Sequence, residues 1–215
     1  YSGRLKAIRK PARVAAEVTG VYRLDPQTLH SELFASIFVE GGGTRRIIVS
    51  LPEAVGADIR FELQGLVEQQ PLPVENGRRR WRLQLAERLH GETFLSTRFE
   101  MPRPAQGAVA APVLTVVETD RQFGAVVVEA GPEQQLTIEA KDAQGLLLAE
   151  TDPLDLPPVP YTPKERIVGA YRTVSAGATL TLSEQRFDKS AVPTAVCRDL
   201  LVSSIVSKTG ELQQK

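Results

Sequence analysis

Two histidines, one cysteine and a scatter of carboxylates are the side chains of this sequence best equipped for chemistry. Neither His30 nor His90 has a second His or a Cys a few residues away, so neither belongs to a His-Glu-x-x-His or Cys-x-x-Cys metal pattern. His30 follows a turn at the start of a strand, and His90 precedes Gly91 in what reads as a hairpin turn; both are positions for a surface imidazole. A Ser-His-Asp set has only these two rings to draw on, and no Gly-x-Ser-x-Gly elbow occurs. Cys197, among Val196, Leu200 and Leu201, reads as a buried thiol, because no neighbouring His supports a thiolate. Gly41-Gly42-Gly43 lacks the Lys-Ser/Thr that follows a phosphate loop and reads as a flexible hairpin. A glycosidase needs two carboxylates facing across a cleft. The acidic residues here fall into two sets, Glu53, Asp58, Glu62 and Glu68, then Asp120, Glu129, Asp152 and Asp155. Asp152 and Asp155 lie in a proline-rich loop where carboxylates and carbonyls can meet calcium, but the Asp-x-Asp-x-Asp density of a calcium loop is missing. The expectation is no catalytic residue, no metal ligand, no cofactor and no enzyme activity in this chain.

Recognition remains. β-Sandwich modules that hold sugars stack them on exposed aromatic rings. Trp81 alternates with Leu83 and Leu85, which puts it on their buried face. Tyr22, Tyr161 and Tyr171 are better candidates, and Tyr161 and Tyr171 are the two ligand-binding residues a sugar-binding reading selects. Tyr161 sits in Val159-Pro160-Tyr161-Thr162-Pro163, where a ring either faces solvent or staples the loop to the fold. An aromatic content of 6% is low for a dedicated sugar binder. Arg78-Arg79-Arg80 follows the turn signal Asn76-Gly77 and reads as a solvated strand start rather than a phosphate site. Basic and acidic residues balance at 26 each, which argues against nucleic acid and against an anionic membrane surface. No stretch approaches the ~20 apolar residues of a membrane-spanning helix.

The elements that must carry these residues are strands. Trp81-Arg82-Leu83-Gln84-Leu85, Ile59-Arg60-Phe61-Glu62-Leu63, Leu136-Thr137-Ile138-Glu139-Ala140 and Ala178-Thr179-Leu180-Thr181-Leu182 all alternate apolar and polar residues, burying one face and wetting the other. Leu29, Leu33, Ala35, Ile37 and Val39 share one face of a long strand, and Phe34 and Phe38 take the opposite face, so this strand is apolar on both sides. Asn76-Gly77 suits a primed hairpin turn. The expected fold is all-β, two tandem antiparallel β-sandwich domains. Residues 1–11 read as a linker, 12–101 as the first sandwich, 102–112 as a Pro/Ala-rich linker and 113–215 as the second sandwich, ending in what reads as the opening of a further copy. Residues 152–163, with prolines at 153, 157, 158, 160 and 163, read as a stiff extended connector.

The layout Leu51-Pro52, Phe61-x-Leu63-x-Gly65, Trp81-x-Leu83-x-Leu85 and residues 94–99 resembles the tandem β-sandwich domains of large bacterial surface and envelope proteins. The first half is also similar to β-domains that precede catalytic domains in some peptidases. The resemblance rests on packing residues over 12–101 and implies a scaffold or recognition module. The single Cys excludes an intrachain disulfide. A chain starting at Tyr1, with its one Met at Met101, reads as a piece of a longer protein. The expected function is therefore a non-catalytic structural or protein-interaction module of a larger bacterial extracytoplasmic protein, in the periplasm or at the cell surface. Its partners would be other domains of the parent or another protein, with no nucleic acid and no direct membrane insertion. The alternatives are a carbohydrate-binding module and an accessory domain of a larger enzyme.

Overall fold

A computed structural model describes residues 10–104, 107–186, 204–206 and 212–214. The expectations for Cys197 and for a further repeat at the C-terminus lie outside these residues or mostly so. The chain is all-β. Its strands are β1 (Ala12–Leu24), β2 (Thr28–Pro52), β3 (Glu62–Leu63), β4 (Leu66–Glu75), β5 (Arg78–Pro102), β6 (Ala108–Ala111), β7 (Thr115–Val117), β8 (Arg121–Ala130), β9 (Gln134–Lys141), β10 (Arg166–Thr173), β11 (Thr179–Arg186), β12 (Ser204–Val206) and β13 (Leu212–Gln214). An eight-stranded sheet runs β10-β8-β1-β2-β5-β3, with β4 also on β5 and β7 also on β2; β6-β11-β9 form a three-stranded sheet, and β12-β13 pair with each other. Among the described residues no helix is long and apolar enough to cross a membrane.

The two 25-residue strands β2 and β5 set the architecture. They pair along nearly their whole length, and the register slips between Val39 and Thr44 and again between Thr44 and Arg46. The sequence places turns at Gly41–Gly43 and at His90–Gly91; both are interior bends of continuous strands instead. The reason is local. Gly41, Gly43 and Gly91 take positive φ, the conformation of a bulge residue, and a bulge bends a ribbon without ending it. A Cβ on Gly43 would lie 2.5 Å from the His90 ring, so the two bends pack into each other. The Asn76-Gly77 turn forms between β4 and β5 as expected, both residues at positive φ. Of the expected strand at 59–63 only Glu62–Leu63 pairs, although Ile59 and Phe61 are still buried in the core. Residues 146–149 make no strand; they fold back on the end of β9, with the Leu148 amide donating to the Ala140 carbonyl.

The bend lets both halves of the β2-β5 ribbon line one apolar core. Leu33, Ile37 and Leu95 from one half join Val49, Leu51, Trp81 and Leu83 from the other. Val109, Leu114, Val116, Val126, Val128, Leu180 and Leu182 belong to the same cluster. Residues before and after the segment 102–112 therefore share one core and the eight-stranded sheet, and β6 within the segment joins the three-stranded sheet. β7 pairs with β2 and β8 pairs with β1. The β1-β8 pair is parallel, nine residues from Ala15↔Arg121 to Arg23↔Glu129, so the expected purely antiparallel arrangement is corrected on this point. A parallel pair needs a long crossover connection, and here the connection is all of β2 to β7. Gly124 permits the close approach: a Cβ there would lie 1.8 Å from the Val18 carbonyl oxygen.

Candidate interaction face

The inner face of the β10-β8-β1-β2-β5 layer covers the core. Its outer face carries the residues of interest. Strand alternation puts Glu17, Thr19, Val21 and Arg23 of β1 on this face, with Phe34 and Phe38 of β2, Phe94 and Glu100 of β5, and Phe123, Val127 and Glu129 of β8. The register sets them in cross-strand rows. One row reads Glu129, Arg23, His30, Glu100, and another reads Phe123, Glu17, Ser36, Phe94. The next row beyond Phe123 reads Arg121, Ala15, Phe38, Glu92.

The proline-rich segment covers half of this face. It is a strap held by side chains: its Leu156, Val159 and Tyr161, with Ile167 of β10 and Phe94 of β5, pack on Val21, Phe34 and Val127 in a second apolar cluster. Asp152 caps its single 3-10 turn (Pro153–Asp155) by accepting the Leu154 amide at 2.9 Å, which occupies one of the carboxylates considered for calcium. Tyr161 lies across the strap-sheet junction. Its ring centroid is 6.4 Å from that of Phe34, and its hydroxyl donates to Glu129 Oε1 at 2.7 Å. Burial, with the hydrogen bond to Glu129 and the charges of Glu129 and Glu32, pushes the Tyr161 hydroxyl well above its usual range. Glu129 is fully buried, and its second oxygen has no partner. Lys164 anchors the far end by donating to Glu32 at 2.9 Å.

The other sequence candidates serve elsewhere. Tyr171 is half-buried against the main core, and burial followed by the Glu150 charge raises its pKa. Tyr161 and Tyr171 thus sit on opposite faces of the sheet and do not converge on one site. Tyr22 is fully buried and donates to the Pro112 carbonyl at 2.9 Å; Trp81 is fully buried, edge-on to Phe61 at 5.6 Å. Arg78 donates to the Ser50 side chain and carbonyl, the Val113 carbonyl and Thr115 Oγ1, clamping β2, β5 and β7, and burial lowers its pKa. Asp25 Oδ2 lies 2.6 Å from His30 Nε2, and Glu100 Oε1 lies 3.0 Å from Nδ1. Because the two carboxylates meet opposite ring nitrogens, they hold the ring between them and do not converge on a common point. Among the described residues no group of His, Cys, Asp and Glu is placed to hold a metal ion.

The strap leaves the rest of the outer face open. Phe38 is 37% exposed, Phe123 is half-buried, and Phe94, half-buried too, stacks on Phe34 at the edge of the strap cluster. Two grooves run along this open half. One, of about 350 Å³, is lined by Glu17, Arg121, Phe123 and Arg172 with the strap's Asp155 and Leu156 among its walls. The other, of about 280 Å³, is lined by Arg13, Val14, Ala15, Phe38, Glu40 and Asp120. Arg121 lies over the Phe123 ring, 5.3 Å from its centroid.

The chain matches no protein-family model and no curated protein sequence. The face itself therefore carries the functional argument. Sequence reasoning named Phe34 and Phe38 as a second apolar face but did not connect them with Phe94 and Phe123. The missing information was the register, since Phe123 reaches the same row only through the parallel β1-β8 pairing.

Proposed function

We propose that this chain is a non-catalytic structural or protein-interaction module of a larger bacterial extracytoplasmic protein, and that the open half of the outer face is where it meets its partner or a neighbouring domain. The observation that carries this reading is the exposed Phe38, on the same outer face as the half-buried Phe94 and Phe123, a face that the chain elsewhere covers with its own strap. A solvated sheet face normally alternates to polar residues. Phenylalanines there are the composition of a contact surface. The single bent ribbon, with a three-stranded sheet closing the same core, suits a rigid spacer that presents such a face.

The test is a photo-cross-linking amino acid in place of Phe38 in the parent protein, in its own cells, with the same group at exposed Glu68 on β4 as the control. The reading expects a discrete product from position 38, with one protein or with another domain of the parent, and not from position 68. No product from 38, or the same products from both positions, would overturn it.

A further inference from the structure

The chemistry of the open half-face restricts what it can take. We infer that its occupant is an extended polypeptide segment carrying arginines among proline and aliphatic residues, an inference that rests on the interaction reading above.

The first argument is from geometry. A sheet face offers side chains and no row of free N–H and C=O groups, so a segment laid on it gains no ladder of hydrogen bonds. The strap demonstrates the solution this face already accepts. Its Asp155, Leu156 and Tyr161 amides donate to carbonyls within the strap itself, while its apolar side chains lie on the sheet. An extended segment without such internal turns leaves its backbone to water, and polyproline-type extension is the conformation that does so.

The second argument is from charge. The open half holds Glu17, Glu40, Glu92, Asp120 and Asp155 against Arg13, Arg121 and Arg172. Arg13 stands directly opposite Glu40 in the β1-β2 register, and Asp120 accepts the Val14 amide at 2.9 Å. Glu17 and Glu92 have no cation within ion-pair distance among the described residues. Each is the cross-strand neighbour of an outer-face ring: Glu17 is registered with Phe123, and Glu92 with Phe38. A ring with a carboxylate beside it suits a guanidinium, which stacks on the ring and bonds the carboxylate in one placement. Arg121 over Phe123 already shows the stacking half of this on the face, without a carboxylate bond. An incoming arginine at Glu17 therefore meets the carboxylate beside a ring that Arg121 occupies, and the open ring is Phe38 beside Glu92.

The spacing follows. Glu17 on β1 and Glu92 on β5 are separated by two strand intervals across the sheet and two residues along it, or roughly 12 Å from ordinary sheet dimensions. In polyproline extension that is about four residues. The segment should therefore carry two arginines about four residues apart.

The experiment uses the intact chain and synthetic proline/leucine peptides with two arginines at that spacing, or with glutamates in their place. Binding is read by fluorescence anisotropy and located by NMR shift changes. The arginine peptide is expected to bind with shifts at Phe38, Phe94 and Phe123, and replacing both arginines should weaken it by roughly tenfold, as two exposed ion pairs warrant. Glu17→Arg combined with Glu92→Arg should invert the preference, and Phe38→Ser should abolish binding with the melting temperature unchanged. The inversion keeps the test independent of any stability change in the Phe38 variant. Equal binding of the two peptides, no binding by either, or shifts elsewhere would overturn the inference. If position 38 still cross-links in the parent while the two peptides bind alike, this ligand chemistry fails and the interaction reading stands. Loss of the cross-link as well removes both.

Discussion

Replacing Tyr161 by Phe removes one oxygen atom and tests how the strap is held. The ring keeps its contact with Phe34; what is lost is the hydrogen bond from the hydroxyl to Glu129 Oε1. Glu129 is fully buried and its other oxygen is already without a partner, so the variant leaves an entire carboxyl group unsatisfied. A hydrogen bond to such a group is worth about 1.5–3 kcal/mol, and Tyr161's half-exposure places the expected loss near the lower figure. A second substitution makes the argument sharper. In a Glu129→Leu background there is no buried carboxyl to orphan, so adding Tyr161→Phe should cost less than about 0.5 kcal/mol, because removing both partners of a buried pair is far milder than removing one. Urea denaturation of the four proteins gives the coupling directly. The wild-type advantage over Tyr161→Phe also has a pH signature. The folded hydroxyl has its pKa raised, so the advantage is complete below the ordinary tyrosine value of about 10 and is lost as pH rises through the higher folded value. A Tyr161→Phe protein as stable as wild type, or additive effects in the double variant, would refute the staple and return Tyr161 to the pool of residues free to meet a ligand.

Other substitutions probe the frame that presents the face. Glu184 is tied to Arg103, Gln134 and Arg186; burial pushes its pKa up, but these hydrogen bonds and the Arg103 charge outweigh it and hold the pKa below the ordinary value. Glu184→Gln leaves the buried Arg103 guanidinium without its charge partner and should cost about 3–5 kcal/mol near neutral pH. The gap to wild type should narrow as pH falls below about 4.3 toward the folded value, and a gap independent of pH would contradict the pairing. Trp81→Ala, a truncation in the middle of the core, should cost about 3–5 kcal/mol in chemical denaturation. A protease site engineered between residues 104 and 107 should yield two pieces that co-elute and melt together. Two pieces that separate and remain folded would restore a division at that point.

The sequence carried the local geometry well. The inner set Leu29, Leu33, Ala35, Ile37 and Val39 is buried as alternation requires, and the opposed Phe34 and Phe38 were legible as a second face. Trp81 follows Leu83 and Leu85 into the core for the same reason. Chain continuity was not legible. Glycine at positive φ serves a hairpin and a bulge equally, so Gly41–Gly43 and His90–Gly91 look like strand ends in the sequence, while pairing between β2 and β5 across the bend makes each a corner. The boundary expected at 102–112 is a related case. Two prolines and a run of small residues do interrupt a strand, but an interruption in sequence is silent on whether the next strand returns to the same sheet. Residue patterns encode which side of a strand is buried; they do not encode which strand lies next to it.

That limit bears on the face itself. Val21 and Val127 on the outer side of a parallel pair call for a cover, because strands apolar on both sides are stable only between two layers. The chain supplies one over Val21, Phe34 and Val127 with the strap, and ends the supply before Phe38 and Phe123. If these two rings served only to fill space, small or polar residues would do as well at positions that already face solvent. Instead each ring is registered beside a carboxylate that lacks a cation among the described residues. Apolar area and charge without an ion pair among the described residues, side by side on an exposed face, are the features on which the proposed contact rests, which is why the cross-link at Phe38 is the experiment that decides it.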